Sequence, residues 1–354
     1  EGLKRLRFTK AVAFDPTGSG KRNHMAILGF YPASGNKNGA AYLYIINADT
    51  NTLVKSYELD KDWFGWIGEL TTVDANNFFA ITAGDYNGDG RDSLVVYCTT
   101  FRGDGSNALK EISFDGKNWS NPVYISVSRK GHELFNKTYM EKELYKSYAL
   151  CNKLSVALES GDVNGDGIDD LVVVSTANKI SDNYANDGAK TATTPMVAVA
   201  KGQKGTKNIG ELSVQRYEPD TDTCMVTPDV SIGDINGDGI NEVVVAGVYQ
   251  VYHDLEPSDN GLVVYWVLNC EWTPTRISKE WVLSGDNGEV SAISMGDSIR
   301  ADESNWQQFS TECVSLDGKG TKDYVFLNGY FYQWNDSSKK LVRASGSDAL
   351  DQKS

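Results

Sequence analysis

Gly84-Asp85-Tyr86-Asn87-Gly88-Asp89-Gly90, Gly161-Asp162-Val163-Asn164-Gly165-Asp166-Gly167 and Gly233-Asp234-Ile235-Asn236-Gly237-Asp238-Gly239 are near-copies of one short segment. Each runs into an apolar, β-branched stretch: Leu94-Val95-Val96, Leu171-Val172-Val173-Val174 and Val243-Val244-Val245. Oxygen side chains at alternate positions of a glycine-bent loop are what a hard cation requires. A loop of this kind, repeated and each time feeding a strand, predicts a repeat architecture.

Two weaker copies extend the series. Phe14-Asp15-Pro16-Thr17-Gly18-Ser19-Gly20-Lys21-Arg22-Asn23 precedes Met25-Ala26-Ile27-Leu28, and Leu316-Asp317-Gly318-Lys319-Gly320-Thr321-Lys322-Asp323 precedes Tyr324-Val325-Phe326-Leu327. With Asp15, Asp85, Asp162, Asp234 and Ser315 as first loop positions, the spacings are 70, 77, 72 and 81 residues. That is too long for a leucine-rich or ankyrin repeat and suits a four-stranded propeller blade of about 40–50 residues plus loops. The predicted fold is all-β, a β-propeller of four-stranded blades. Five is the simplest count, and six or seven follow if further loops have eroded. The alternative is a slice of a longer array.

The units fall near 8–60, 61–130, 150–220, 224–283 and 288–343 of a single propeller domain spanning 1–343, with a polar tail at 344–354. In the second unit the expected strands are 77–82, 94–99, 109–114 and 123–127, with a hairpin turn at Asp115-Gly116-Lys117-Asn118. In the fourth they are 230–232, 242–246, 262–268 and 272–277. Phe8 to Phe14 reads as an outer strand, Glu133 to Leu150 as a short inter-blade helix, and Ala177 to Pro195 as a surface loop.

Counting each strong loop from its first Asp, positions 1, 3 and 5 supply side-chain oxygens: Asp85, Asn87, Asp89; Asp162, Asn164, Asp166; Asp234, Asn236, Asp238. Glycine at position 6 permits the sharp turn. Position 7 (Arg91, Ile168, Ile240) offers its backbone carbonyl, and position 9 (Ser93, Asp170, Glu242) a side-chain oxygen. With water this approaches the oxygen count Ca²⁺ prefers. An EF-hand needs Glu at position 12, and a dockerin uses Asp; here the residues are Val96, Val173 and Val245, within strands. The loops with their Leu/Val strands resemble the FG-GAP (integrin α-type) propeller repeats and the related VCBS-type repeats, although the Phe-Gly and Gly-Ala-Pro signatures are largely missing. The resemblance implies a propeller with calcium in rim loops, usually extracellular and used for adhesion or ligand binding. Three Ca²⁺ sites are expected, structural in role. The end loops have lost ligands: the first keeps Asp15, Thr17, Ser19 and Asn23, and the fifth places Lys319 at position 5, where its ammonium replaces a cation.

A net charge of −14 argues against a nucleic-acid partner, because phosphate backbones select basic surfaces. No run of about 18 apolar residues is present, so no membrane insertion is expected. The chain opens at Glu1-Gly2-Leu3-Lys4 without a signal-peptide pattern, which reads as a mature or excised form. Five scattered cysteines (Cys98, Cys151, Cys224, Cys270, Cys313) lack a CxxC pair, and an odd count leaves at least one thiol unpaired within the chain. Sequons stand at Asn118, Asn136 and Asn335.

Other motifs carry less. Arg102-Gly103-Asp104 is an adhesion tripeptide that also suits an ordinary turn. Gly18-Ser19-Gly20-Lys21 fails as a phosphate loop, since Asp15 stands where the first glycine belongs and Arg22 where Ser or Thr is needed. His24, His132 and His253 are far apart, and no Gly-x-Ser-x-Gly elbow or glycosidase acid pair can be picked out. Eight tryptophans supply flat rings of the kind that stack on sugars, densest at Trp63-Phe64-Gly65-Trp66; inter-blade packing is the competing use. The expectation is therefore a cell-surface or extracellular recognition module with a glycan or protein ligand, Trp63 and Trp66 being the candidate ligand residues. A calcium-dependent polysaccharide lyase or hydrolase and a structural spacer in a larger surface protein are the alternatives.

Overall fold

The computed structural model of the chain describes residues 7–31, 40–59, 79–98, 109–128, 156–179, 192–217, 225–249, 262–274, 279–285, 291–294, 310–316, 322–327 and 329–344. These form five antiparallel sheets, each an up-and-down meander. The first holds β1 (Arg7–Phe14), β2 (His24–Tyr31), β3 (Ala40–Asn47) and β4 (Thr52–Leu59). The second holds β5 (Phe79–Gly84), β6 (Ser93–Cys98), β7 (Leu109–Ile112) and β8 (Val123–Tyr124). The third holds β9 (Val156–Gly161), β10 (Asp170–Lys179), β11 (Ala192–Ala200) and β12 (Leu212–Tyr217). The fourth holds β13 (Met225–Gly233), β14 (Glu242–Tyr249), β15 (Leu262–Pro274) and β16 (Lys279–Gly285), and β17 (Ser291–Ser294) adds a fifth strand against β15. The last holds β18 (Thr311–Val314), β19 (Tyr324–Leu327), β20 (Tyr330–Asn335) and β21 (Lys340–Arg343). First strands pack against first strands in the order β1, β5, β9, β13, β18. This is a five-bladed β-propeller. Among the described residues no helix is long and apolar enough to cross a membrane.

The unbroken Val/Leu runs follow from blade-on-blade packing. A propeller strand is buried on both faces, so its residues alternate between two cores instead of between core and solvent. Leu94 and Val96 join the first blade's core with Leu28, Leu43 and Ile45, whereas Val95 and Tyr97 join the third blade's with Leu171 and Val173. Val172 and Val174 meet Val243, Val245 and Trp266 of the fourth blade. Val244, Tyr265 and Val267 meet Val325, Tyr332 and Trp334 of the fifth. At about 25 cal/mol per Å² of apolar area, these four interfaces are the main stabilising term of the fold. Trp266, Trp281 and Trp334 lie in these interfaces, and Trp119 packs against the first; packing is their use. Trp272 is 44% exposed.

Several sequence expectations change. Phe8 to Phe14 lies in the innermost strand of its blade, not an outer one: β1 packs against β5 beside the axis. Residues 177–179 and 192–195 are strand, not loop, because β10 and β11 pair out to Lys179 with Ala192. The fourth blade's outer strand is β16 rather than 272–277; Trp272 remains on β15, opposite Trp281. The hairpin turn at 115–118 forms as expected, closed by the Asp115 N–H on the Asn118 carbonyl at 3.1 Å. The expected helix at 133–150, Arg102-Gly103-Asp104, Trp63 and Trp66 lie outside the described residues.

Candidate functional site

Each strong loop bridges the first two strands of its blade: 85–92 between β5 and β6, 162–169 between β9 and β10, 234–241 between β13 and β14. In each, the position-1 aspartate turns inward and gathers backbone N–H groups. Asp162 Oδ1 accepts from Gly165 (2.8 Å) and Asp166 (3.1 Å), and its Oδ2 from Gly167 (2.7 Å). Asp234 does the same with Gly237, Asp238 and Gly239 at 2.7, 3.1 and 2.9 Å. Asp85 accepts from Asp89 and Gly90 at 3.1 and 2.8 Å. The position-6 N–H reaches back because Gly90, Gly167 and Gly239 adopt φ of +82°, +81° and +87°, where a side chain is strained. The position-5 aspartates Asp89, Asp166 and Asp238 accept from the N–H of Arg91, Ile168 and Ile240 at 3.0, 3.0 and 2.8 Å. One turn thus ties position 1 to the backbone of positions 5 and 6, and position 5 to the backbone of position 7.

Position 9 opens the next strand, and its hydrogen bonds stay within its own blade. Asp170 is fully buried; its Oδ1 accepts from Gly202 N–H and its Oδ2 from the Asn164 amide, both at 2.9 Å. Glu242, also fully buried, accepts from the N–H of Ile235 at 2.9 Å and from the Asn236 amide. Desolvation pushes the Asp170 carboxyl up to about 7 and the Glu242 carboxyl up to about 8. In the second loop Ser93 takes this place.

The fit to a hard cation can be tested on these groups. Among the described residues no cluster of three or more His, Cys, Asp or Glu side chains gathers as a metal site. The donors are carboxylate, amide and backbone oxygens, which suit Ca²⁺ and not a soft metal. Asn164 is 4% exposed, and its Oδ1 is a buried acceptor with no hydrogen-bond partner. A buried acceptor without a donor is costly, and a cation beside it would satisfy that need. In donor chemistry, and in the bare acceptor of Asn164, the residues present fit the ion.

In blades two to five the final residue of the loop reaches back to the blade before it. Asp92 Oδ2 accepts the Asp15 N–H at 2.7 Å while the Asp92 N–H donates to the Asp15 carbonyl at 2.9 Å. Asp169 clasps Asp85 in the same reciprocal way, at 2.9 and 3.2 Å. Asp323 clasps Asp234 at 3.1 and 2.8 Å. Between the third and fourth blades Asn241 donates its amide to the Asp162 carbonyl at 2.8 Å. The sequence reading passed over this position, yet an Asp or Asn there in every copy was the available signal. It also gave no role to the glycine before each first Asp. A Cβ on Gly233 would lie 2.5 Å from Cys313 Cβ, so the next blade's inner strand leaves no room for one.

The first loop closes differently. Asp15 accepts from the Thr17 hydroxyl at 2.8 Å, from the Ser19 hydroxyl at 3.2 Å and from Lys21 N–H at 3.1 Å. The strand after it opens with His24, 7% exposed, whose Nδ1 meets Asn23 Oδ1 at 2.8 Å. Cys270 and Cys313 are free thiols.

No family model and no curated protein sequence matches this chain. Among solved structures, the chain is similar to the rhamnogalacturonan lyase YesW at 10% identity and a TM-score of 0.43, over 94% of this chain and 56% of that one. It is similar to the Cellvibrio cellulosa alpha-L-arabinanase at 11% identity and a TM-score of 0.31, over 75% of this chain and 74% of that one. With the polysaccharide lyase Uly1 the values are 10% and 0.26, over 77% of this chain and 56% of that one. The chain therefore spans little more than half the length of the lyase YesW.

Proposed function

We propose that this chain is a calcium-stabilised recognition propeller of the FG-GAP/VCBS type, acting outside the cell or at its surface, with a glycan as its ligand. The observation that carries the calcium reading is the triplicate loop of oxygen donors in one register, with Asn164 Oδ1 buried and unpartnered among them. Three ions are expected, held by positions 1, 3, 5, 7 and 9 of loops two, three and four. Bound there, Ca²⁺ supplies positive charge between carboxylates that otherwise repel. The ions tie the first two strands of these three blades together and so fix the face on which the connecting segments meet a ligand.

Two features support an extracellular setting. The sequon residues Asn118 and Asn335 are both exposed and sit at hairpin turns, where a glycan can be accommodated. The glycan ligand rests on aromatic surface: Trp272 presents its ring on the fourth blade's outer hairpin, and Trp63 and Trp66 add to the sequence's supply of flat rings.

The test is a polysaccharide and glycan panel in millimolar calcium, read for retention and for released products, and repeated in EGTA. Calcium-dependent retention without products supports the proposal. New chain ends would replace it with the lyase or hydrolase alternative. Absence of both would overturn the glycan ligand and direct the search to a protein partner or a spacer role.

A further inference from the structure

The second loop lacks the buried acid that loops three and four carry at position 9. Ser93 pairs with Gly84 where Asp170 pairs with Gly161 and Glu242 with Gly233. Two residues further along each of these strands, Val95, Val172 and Val244 face the next blade; their cross-strand partners are Glu111, Val199 and Val267. The equivalent partners in the first and last blades are Ile45 and Phe331. One blade alone therefore places a carboxylate at a register position that is otherwise apolar, and of the three blades with strong loops it is the one that lacks the acid at position 9. Glu111 is only 6% exposed. Its carboxylate accepts the Ser93 hydroxyl and, at 3.0 Å, the N–H of Ile209 in the third blade.

We propose that Glu111 is the buried anion of the second metal loop, supplied from β7 instead of β6 and acting through the Ser93 hydroxyl. This rests on the calcium reading of the loops. Because Ser93 donates its proton to Glu111, its oxygen keeps lone pairs for the loop, with negative charge directly behind them. Burying a carboxylate in an apolar interface is costly unless its charge is used, and a divalent ion one residue away uses it. Glu111 is on this account a positioning residue. Outer-shell partners of metal ligands typically change affinity by about 10–100-fold when removed.

The inference is tested on the full chain by metal titration. Tyr86 occupies position 2 of this loop alone, where the other two carry Val163 and Ile235, so tyrosine-sensitised terbium luminescence reports the second loop, with Tyr86→Phe as the control. Glu111→Gln keeps an acceptor for the Ile209 N–H and removes the charge. It is expected to weaken terbium and calcium binding at this loop about 10–100-fold, leaving the other two sites of the calorimetric isotherm unchanged. The exchange Ser93→Asp with Glu111→Val, which copies the third blade, is expected to restore binding. Wild-type affinity in Glu111→Gln would overturn the inference and leave the calcium reading intact, reducing Glu111 to an inter-blade hydrogen bond. No metal uptake by the unmodified chain would overturn both. If the exchange variant fails to fold, Glu111→Gln alone decides.

Discussion

The first and third loops solve one problem in two ways. Each begins with an aspartate that must be satisfied at a tight turn. In the third, Asp162 takes backbone N–H groups, Asp166 stands four residues on, and Asp170 lies buried at the strand's start. In the first, hydroxyls of Thr17 and Ser19 replace the side chains at positions 3 and 5 and donate straight to Asp15, while His24 opens the strand instead of an acid. The third loop thus concentrates negative charge and leaves the Asn164 acceptor bare; the first closes on itself. The blades around them keep the same strand order. A few substitutions within the turn are enough to change a loop with a bare buried acceptor into one whose side chains satisfy each other.

The largest expected effect is the dependence of these loops on calcium. On the proposed reading each site adds about 2.7 kcal/mol to stability at free calcium 100-fold above Kd, because the unfolded chain does not bind. Asp162→Ala should remove one site's share, so its deficit in melting temperature is large in calcium and shrinks in EGTA. Asp15→Ala should cost about 1–3 kcal/mol through its stranded donors, by the same amount in calcium and in EGTA. Thermal melts of both variants under both conditions give the comparison. An equal calcium dependence of the two would erase the distinction between the loops.

Much of this was legible in the sequence because the repeat recurs. Five loop-then-strand copies gave five blades, and the Val/Leu runs after the loops gave their second strands; that those strands are buried on both faces emerges only from the blade-on-blade packing. The reading failed where the signal is relational. Phe8 to Phe14 looked peripheral because its hydrophobicity does not say which side of the blade faces the axis. Residues 177–179 and 192–195 are small and polar, yet they extend a hairpin because β10 and β11 pair on through their backbones. Glu111 was invisible as a site residue: its meaning appears only once the register places it opposite Val95, beside Ser93. The clasp residues Asp92, Asp169, Asn241 and Asp323 had a visible pattern but no purpose until neighbouring loops were seen side by side.

A half-buried acid away from the loops sharpens the comparison. Glu159 lies on the inner strand β9. Desolvation pushes its carboxyl up to about 7; Glu312 on the inner strand β18 and Asp229 on the inner strand β13 add repulsion, and Arg22 opposes it. Lys10 of β1 acts on Asp229. Since the folded chain holds this proton more tightly than the unfolded one, the stabilisation is complete below the ordinary carboxylate range and is lost as pH rises towards 7. The slope is at most about 1.4 kcal/mol per pH unit. Glu159→Gln should flatten it over that window in denaturant titrations at stepped pH. Because Glu159 belongs to no loop, the flattening should be the same with and without calcium. A change confined to one of those conditions would tie the inner strands to the rim.

The smallest effect concerns how one loop senses the next. Three junctions use a carboxylate that accepts the first-position N–H and returns its own N–H to that residue's carbonyl; the junction of the third and fourth blades uses the Asn241 amide on the Asp162 carbonyl. These are not equivalent. Asp169→Ala leaves the Asp85 N–H in a part-buried site without its acceptor, a loss of about 1–3 kcal/mol. Asn241→Ala takes away one neutral donor from a carbonyl, about 0.5–1.5 kcal/mol. Asp169→Asn should fall between, since its amide oxygen still accepts, without charge. Equilibrium unfolding of the three in EGTA isolates the clasp from any bound ion. If Asn241→Ala costs as much as Asp169→Ala, the charge in the clasp is immaterial and shape alone joins the blades. If the expected order holds, the weakest of the four described clasps lies between two loops that both carry a buried position-9 acid.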